Sequence, residues 1–201
     1  EQIVGELSAD IERRLPPAYD IEKALIDFPV KYEESMNTVL TQELLRFNRL
    51  TDVMKESLYE IQRAIKGLVV MSGELEAMGT SMTIGKVPAM WSRFAYPSLK
   101  GCGPWVSDLL QRLEFLGSWN HAGVAPNIFW ISGFFFTQAF ITGTLLNYAR
   151  KYQVPIDTVE FDYGVLKPHE HKEAEETKVP DGAVTWGLFM EGARFDRDQH
   201  C

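Results

Sequence analysis

The chain has 201 residues, 45% hydrophobic and 24% charged, an ordinary globular composition that argues against wholesale disorder. Its 20 basic and 28 acidic residues leave a net charge of -8, and no Lys/Arg cluster supplies the basic face that a nucleic-acid binder needs. Two cysteines, Cys102 and Cys201, are too few for a disulfide scaffold and sit in no CxxC or Cys/His spacing, so reduced thiols are expected.

The chain opens "EQIVGELSADIERRL", with no basic n-region, apolar h-region or initiator Met, and is expected to be cut from the interior of a longer polypeptide. Residues 1–14 read as an amphipathic helix that Pro16 and Pro17 stop. Asp20 can cap a short helix over "IEKALIDF", which Pro29 closes. From Met36, apolar residues recur at Leu40, Leu44, Phe47, Leu50, Met54, Leu58, Ile61, Ile65, Leu68, Leu75 and Met78, mostly in steps of three or four. Unbroken, that helix would measure about 63 Å at 1.5 Å per residue. Gly67 and Gly73 predict a break or bend. The apolar stripe is wider than a heptad seam, so the charges between its members read as a solvated face rather than as the flanks of a coiled coil.

Residues 79–86 read as a loop, "VPAMWSRFA" as one or two helical turns, and "YPSLKGCGP" as another loop. Pro104 suits a helix start, and "WVSDLLQRLEFLGSW" is amphipathic at helical spacing. Next comes "FWISGFFFTQAFITGTLL", Phe129–Leu146, which is uncharged and holds five aromatic residues among its first eight. A helix over Phe129–Tyr152 is expected, with Pro126 and Asn127 at its start and Arg150 and Lys151 at its basic end. A membrane span needs ~20 predominantly apolar residues. The uncharged window from Ala122 to Ala149 is long enough, but seven of the 18 residues in Phe129–Leu146 are Ser, Thr, Gln or Gly. The reading is a core helix covered by protein on nearly all sides. Trp91, Trp105, Trp119 and Trp130 are expected to be buried.

After "VPID" the pattern changes: "TVEFDYGVL" alternates like a strand, "KPHEHKEAEETKVPDG" reads as a charged loop, and "AVTWGLFME" as a second strand. The expected fold is α+β and mostly α, a helical bundle followed by the start of a small β-rich part. Two short strands make a poor sheet alone, and no closing element follows "GARFDRDQHC", so truncation is expected there too.

Several motifs approach known chemistry and miss it. "GTSMTIGKV", Gly79–Val87, puts five residues between Gly79 and Gly85 and has Val87 where a phosphate loop needs a hydroxyl for magnesium. "GCGPWV", Gly101–Val106, has Val106 in place of the third glycine of a dinucleotide loop, and Pro104 breaks the turn. His169 and His171 lack a third convergent metal ligand, since His121 and His200 are distant in sequence. Glu33–Glu34 and Glu173–Glu175–Glu176 lie in polar stretches where nothing would raise a carboxylate pKa. No catalytic, cofactor-binding or metal-binding residue is expected.

Five strings in order carry a family resemblance: "YEESMNTVLTQELLRFNRL", "AIKGLVVMSGELE", "VPAMWSRFAYPSLK", "FWISGFFFTQAFITGTLLNYARKY" and "GLFMEGARFDRD". From about Leu15 onward the sequence resembles the C-terminal region of dynein heavy chains, the axonemal branch and most of all the inner-arm, single-headed ones. That resemblance implies a parent motor with a ring of six AAA+ modules, which hydrolyses ATP with magnesium, works on microtubules in the axoneme of cilia and flagella, and assembles with axonemal accessory chains. It implies that residues 1–14 join the last AAA+ module, 15–155 form the helical part of the region, and 156–201 begin a β-rich part. The region itself would be non-catalytic and cofactor-free, would bind neither nucleic acid nor membrane, and would brace the ring and tune the motor. The competing expectation is a stand-alone helical module that binds a partner protein.

Overall fold

A computed structural model describes residues 2–187. Among them are eight α-helices and two short strands, a mostly helical α+β fold. The chain divides into two compact units, one built from the stretch up to Glu22 with Gln42–Gly117, the other from Lys23–Thr41 with everything from Ser118 on.

In the first unit, α1 (Gln2–Arg14) and α4 (Gly73–Thr83) lie against the end of α3 (Ser35–Ile65): a Cβ on Gly79 would stand 3.4 Å from Ile61 and 3.6 Å from Val4. The apolar stripe of α3 forms its core as the periodicity predicts, with Leu44, Phe47, Leu50, Met54 and Leu58 all fully buried. The helix ends just before Gly67, which takes φ +72°. Ser72 then caps α4, its Oγ accepting from the Leu75 N–H at 3.2 Å. Gly79–Thr83, read from sequence as loop, is helical: Ser72 caps α4 and Gly79 packs against Val4 and Ile61, while the hydroxyls of Thr80, Ser81 and Thr83 are satisfied by carbonyls one turn back. The short α5 (Ala89–Ser92) and the first part of α6 (Cys102–Ala122) complete this unit. Trp91 and Trp105 stack at 6.1 Å, and Tyr96 stacks on Trp105 at 6.0 Å. Trp91 also donates from Nε1 to Ser57 Oγ at 2.9 Å, which satisfies its one polar atom inside the core.

The second unit holds α2 (Ile21–Asp27) from Lys23 on, the first turns of α3, the end of α6, α7 (Thr137–Tyr152), α8 (Pro168–Glu176) and the two strands. Its main departure from expectation is that no single helix covers Phe129–Tyr152. Ile128–Trp130 form β1, Ile131–Gly133 make a 3-10 turn, and α7 starts only at Thr137. Ile, Phe and Trp in succession favour extended backbone, and β1 finds a parallel partner in β2 (Val184–Trp186), with Phe129 opposite Thr185. At the turn, Gly133 is pressed on the Trp130 indole, where a Cβ would come within 2.6 Å of ring carbon Cε3. The extended backbone lets the rings converge: Phe129 on Phe140 at 4.9 Å, Phe134 on Phe140 at 4.8 Å, and Trp119 edge-on to Phe129 at 5.4 Å. Phe140 is buried, whereas Phe135 is only half-buried and Phe136 is exposed.

Two further expectations fail in this unit. "TVEFDYGVL", residues 158–166, is not a strand: it leaves the end of a 3-10 turn (Ile156–Thr158) as irregular, largely exposed backbone, and no strand among the described residues offers it a ladder. The stretch around His169 and His171 is helix α8 rather than a loop. Pro168 sits at its first turn, Glu170 Oε2 accepts from the Lys167 N–H at 2.6 Å, and Ala174 anchors the helix in the core. The four tryptophans named from sequence are all buried. The latter part of "AVTWGLFME", with Cys201 and His200, lies outside the described residues.

Candidate functional site

Gly79 and the pair His169 and His171, which approach known chemistry in sequence, lie on helices α4 and α8. Gly79–Thr83 is the C-terminal end of α4, whose carbonyls repel a phosphate, whereas phosphate loops use helix N-termini. His171 faces Glu175 one turn on, Nδ1 to Oε1 3.4 Å, on the exposed side of α8. Among the described residues no group of three His, Cys, Asp or Glu side chains could hold a metal ion. Nor, among them, is any helix long and apolar enough to cross a membrane. Burial pushes the Cys102 thiol up, away from the reactive thiolate.

The perturbed ionisable groups gather instead at two polar junctions. In the first unit Asp108, buried on α6, takes Lys100 Nζ at 2.6 Å on one oxygen. Its other oxygen accepts from Arg112 Nε at 2.7 Å and from the Tyr96 hydroxyl at 2.9 Å. The Arg112 guanidinium also lies 3.8 Å from the centre of the Tyr96 ring. Burial would raise the Asp108 pKa, but the bonds from Lys100, Arg112 and Tyr96 together outweigh it and hold the carboxyl below its usual range. Burial likewise raises the Tyr96 and Tyr19 phenols well above their ordinary value. Tyr19 is fastened at three points, its hydroxyl to the Leu113 carbonyl and its backbone N–H and C=O to the Asn48 amide. The polar atoms of these groups face protein partners and so fasten the fold.

The second junction joins the C-terminal half of α7 to the start of α3. Asn147 accepts from the Ser35 N–H at 2.8 Å and donates to Glu34 at 3.3 Å. Arg150 donates to the Tyr32 carbonyl at 2.6 Å and to Ser35 Oγ at 3.1 Å, and lies 4.4 Å over the Tyr32 ring. Lys151 Nζ donates to the Pro180 carbonyl and to Asp181 Oδ1, both at 2.8 Å, while the Tyr152 hydroxyl donates to Asp181 Oδ2 at 2.9 Å. The bond from Lys151 holds Asp181 below its usual range, and Asp181 in turn raises Lys151. Beside this junction lies a cavity of about 490 Å³ lined by Met36, Phe129, Thr144, Asn147 and the stretch Lys178–Ala183. Sequence reading singles out Glu33 and Glu34 as dense carboxylates but misses that Asn147 and Arg150, one turn apart on α7, fasten the segment beside them. The i, i+3 spacing is visible in the sequence; its partner is not.

Comparison with known proteins agrees in family terms. A family model for the C-terminal domain of dynein heavy chains matches residues 1–201. The protein is 54% identical over 197 residues to dynein axonemal heavy chain 3 of Homo sapiens. It is 49% identical over 197 residues to dynein axonemal heavy chain 12 of Mus musculus and 50% identical over 196 residues to dynein axonemal heavy chain 1 of Rattus norvegicus. Each alignment covers 98% of this protein but only 4–6% of the relative.

Proposed function

The protein belongs to the C-terminal domain family of dynein heavy chains, and from that premise we propose that it is a non-catalytic part of an axonemal dynein heavy chain that braces the AAA+ ring of its parent and tunes the motor's output. The parent would be a microtubule motor of the ciliary or flagellar axoneme, with ATP and magnesium bound in the ring and accessory chains elsewhere. Helix α1 would join this region to the last AAA+ module, with residues 15–155 as the helical part and 156–201 as the start of the β-rich part. The observation that carries the reading is the family match over all 201 residues, joined by about 50% identity to three axonemal heavy chains. The polar junctions support it, because Asp108 and Asn147 sit in networks that stiffen the fold rather than present a reactive group. Exposed apolar side chains such as Ile26, Val30, Val70 and Leu99 supply surface for packing against other modules.

A brace alters motor output only if its contacts differ between the states of the ATPase cycle, since a ligand or module with equal contacts in both shifts nothing. The test is to delete this region from a full heavy chain and measure ATPase rate, stall force and gliding velocity. Changed force or velocity with the ring still assembled is the expected result, and all three unchanged overturns the bracing role. The native polypeptide is checked on a denaturing blot with antibody to this region. A band vastly larger than 22.9 kDa, confined to ciliated cells, is expected. A band near that mass would favour a stand-alone interaction module.

A further inference from the structure

The stretch from Thr177 to Gly187 is attached to the second unit in an unusual way. Not one of its residues is buried, although it crosses the cavity whose floor is Met36, Phe129, Thr144 and Asn147. Besides the bond from Lys151 to the Pro180 carbonyl, three attachments among the described residues hold it. The first is a clasp of charges: Lys151 and Tyr152 on Asp181, and Lys178 against Glu34 at 3.8 Å. The second is the three-residue parallel ladder of β2 on β1, a sheet too small to stand by itself. The third is the Trp130–Trp186 stack at 5.3 Å and 11°, in which Trp130 is buried and Trp186 is half in solvent. Beyond the stack, Gly187 at φ +77° lays its backbone on the same indole, where a Cβ would fall 2.6 Å from Trp130 Cδ1.

We propose that Lys178–Gly187 is a strap that opens as one cooperative unit, uncovering the groove and the edge of β1, and that ionic strength sets its open fraction. Segments with little buried apolar area open with the smallest free energies, well below global unfolding. Here the hinge is supplied on one side by Thr177, extended at the end of α8, while α8 itself stays fixed through buried Ala174. Because the clasp is made of exposed charges, salt weakens it without touching the aromatic core beneath. The groove floor keeps its own anchors when the strap leaves, since Asn147 and Arg150 hold Ser35 independently of Asp181.

Hydrogen exchange on the 201-residue protein, read by mass spectrometry, tests this. The ladder amides of Val184–Trp186 are expected to exchange much faster than those of α6 and α7, and faster by about three- to tenfold between low salt and roughly 0.5 M. Asp181→Asn should give the low-salt protein the high-salt rate, and Gly187→Ala should open the strap at any salt, with α6 and α7 unchanged in both. Ladder amides as protected as those of α7, or insensitive to salt, overturn the proposal. So does an Asp181→Asn protein in which α7 accelerates in parallel, because the clasp would then serve global stability and not a strap.

Discussion

The two units each bury a cluster of aromatic rings, and they do so by different means. In the first, Phe47, Trp91, Tyr96 and Trp105 come from two long helices and the stretch that leads into the second of them, and polar atoms find partners: Trp91 with Ser57, Tyr96 with Asp108. In the second, Phe129, Phe134 and Phe140 crowd together from a strand, a turn and the start of a helix. A helical core admits rings wherever the 3.6-residue repeat points inward. A core built at a turn needs one small residue in one place, here Gly133, so that an indole can fold back over the backbone. The first arrangement is legible from spacing and the second is not.

The comparison can be broken by mutation. The largest effect should come from Trp91→Ala, about 5 kcal/mol by chemical denaturation, because a fully buried indole and its hydrogen bond are both lost. The same truncation at Trp186, half in solvent, should cost ~1 kcal/mol or less. If the two were equal, the contrast between a packed core and a superficial stack would collapse. Phe140→Ala should cost ~3–4 kcal/mol, while Phe135→Ala, half-buried, should cost roughly half as much. Equal losses would mean that Phe135 lies as deep in the second cluster as Phe140.

Asp108→Asn should cost about 3 kcal/mol, since a neutral amide in that buried place loses the ion pairs with Lys100 and Arg112 and turns a donor toward one of them. The pH dependence follows in sign. The folded-state pKa of Asp108 lies below its unfolded value, so its contribution is complete above about pH 4 and is lost as the pH falls through the folded value. The wild-type protein should therefore lose stability below about pH 4 more steeply than Asp108→Asn. Gly133→Ala should cost ~1–2 kcal/mol, through the forced shift of the Trp130 ring. Near-ultraviolet circular dichroism should report that shift of the indole directly.

Much of the first unit is legible ahead of the structure because its signals are local. The apolar steps from Leu44 to Ile65, the break near Gly67, the stops at Pro16 and Pro17, and the helix start at Pro104 each depend on residues within one turn. Gly79–Thr83 misleads because "GTSMT" holds poor helix formers, yet the cap at Ser72 and packing of Gly79 against Val4 and Ile61 carry the helix through them. At Phe129–Phe136 the error runs the other way. An uncharged apolar run fits a helix or an extended segment equally well, and periodicity alone does not separate them. The charged run at His169 reads as loop by composition, whereas Pro168 and Glu170, a proline at the first turn and a carboxylate two residues on, are the better signal.

By itself the sequence determined the long amphipathic helices, the family of the protein, and the absence of any complete motif for phosphate, dinucleotide or metal. These depend on spacing over a few residues or on strings that keep their order from one end to the other. Only the tertiary structure decided that β1 pairs with β2 and that Arg150 and Asn147 fasten the start of α3. It also decided that Asp181 ties its segment across a cavity. Parallel pairing and polar clasps join residues far apart in sequence, and a strand or a carboxylate carries no local mark of the partner that will satisfy it.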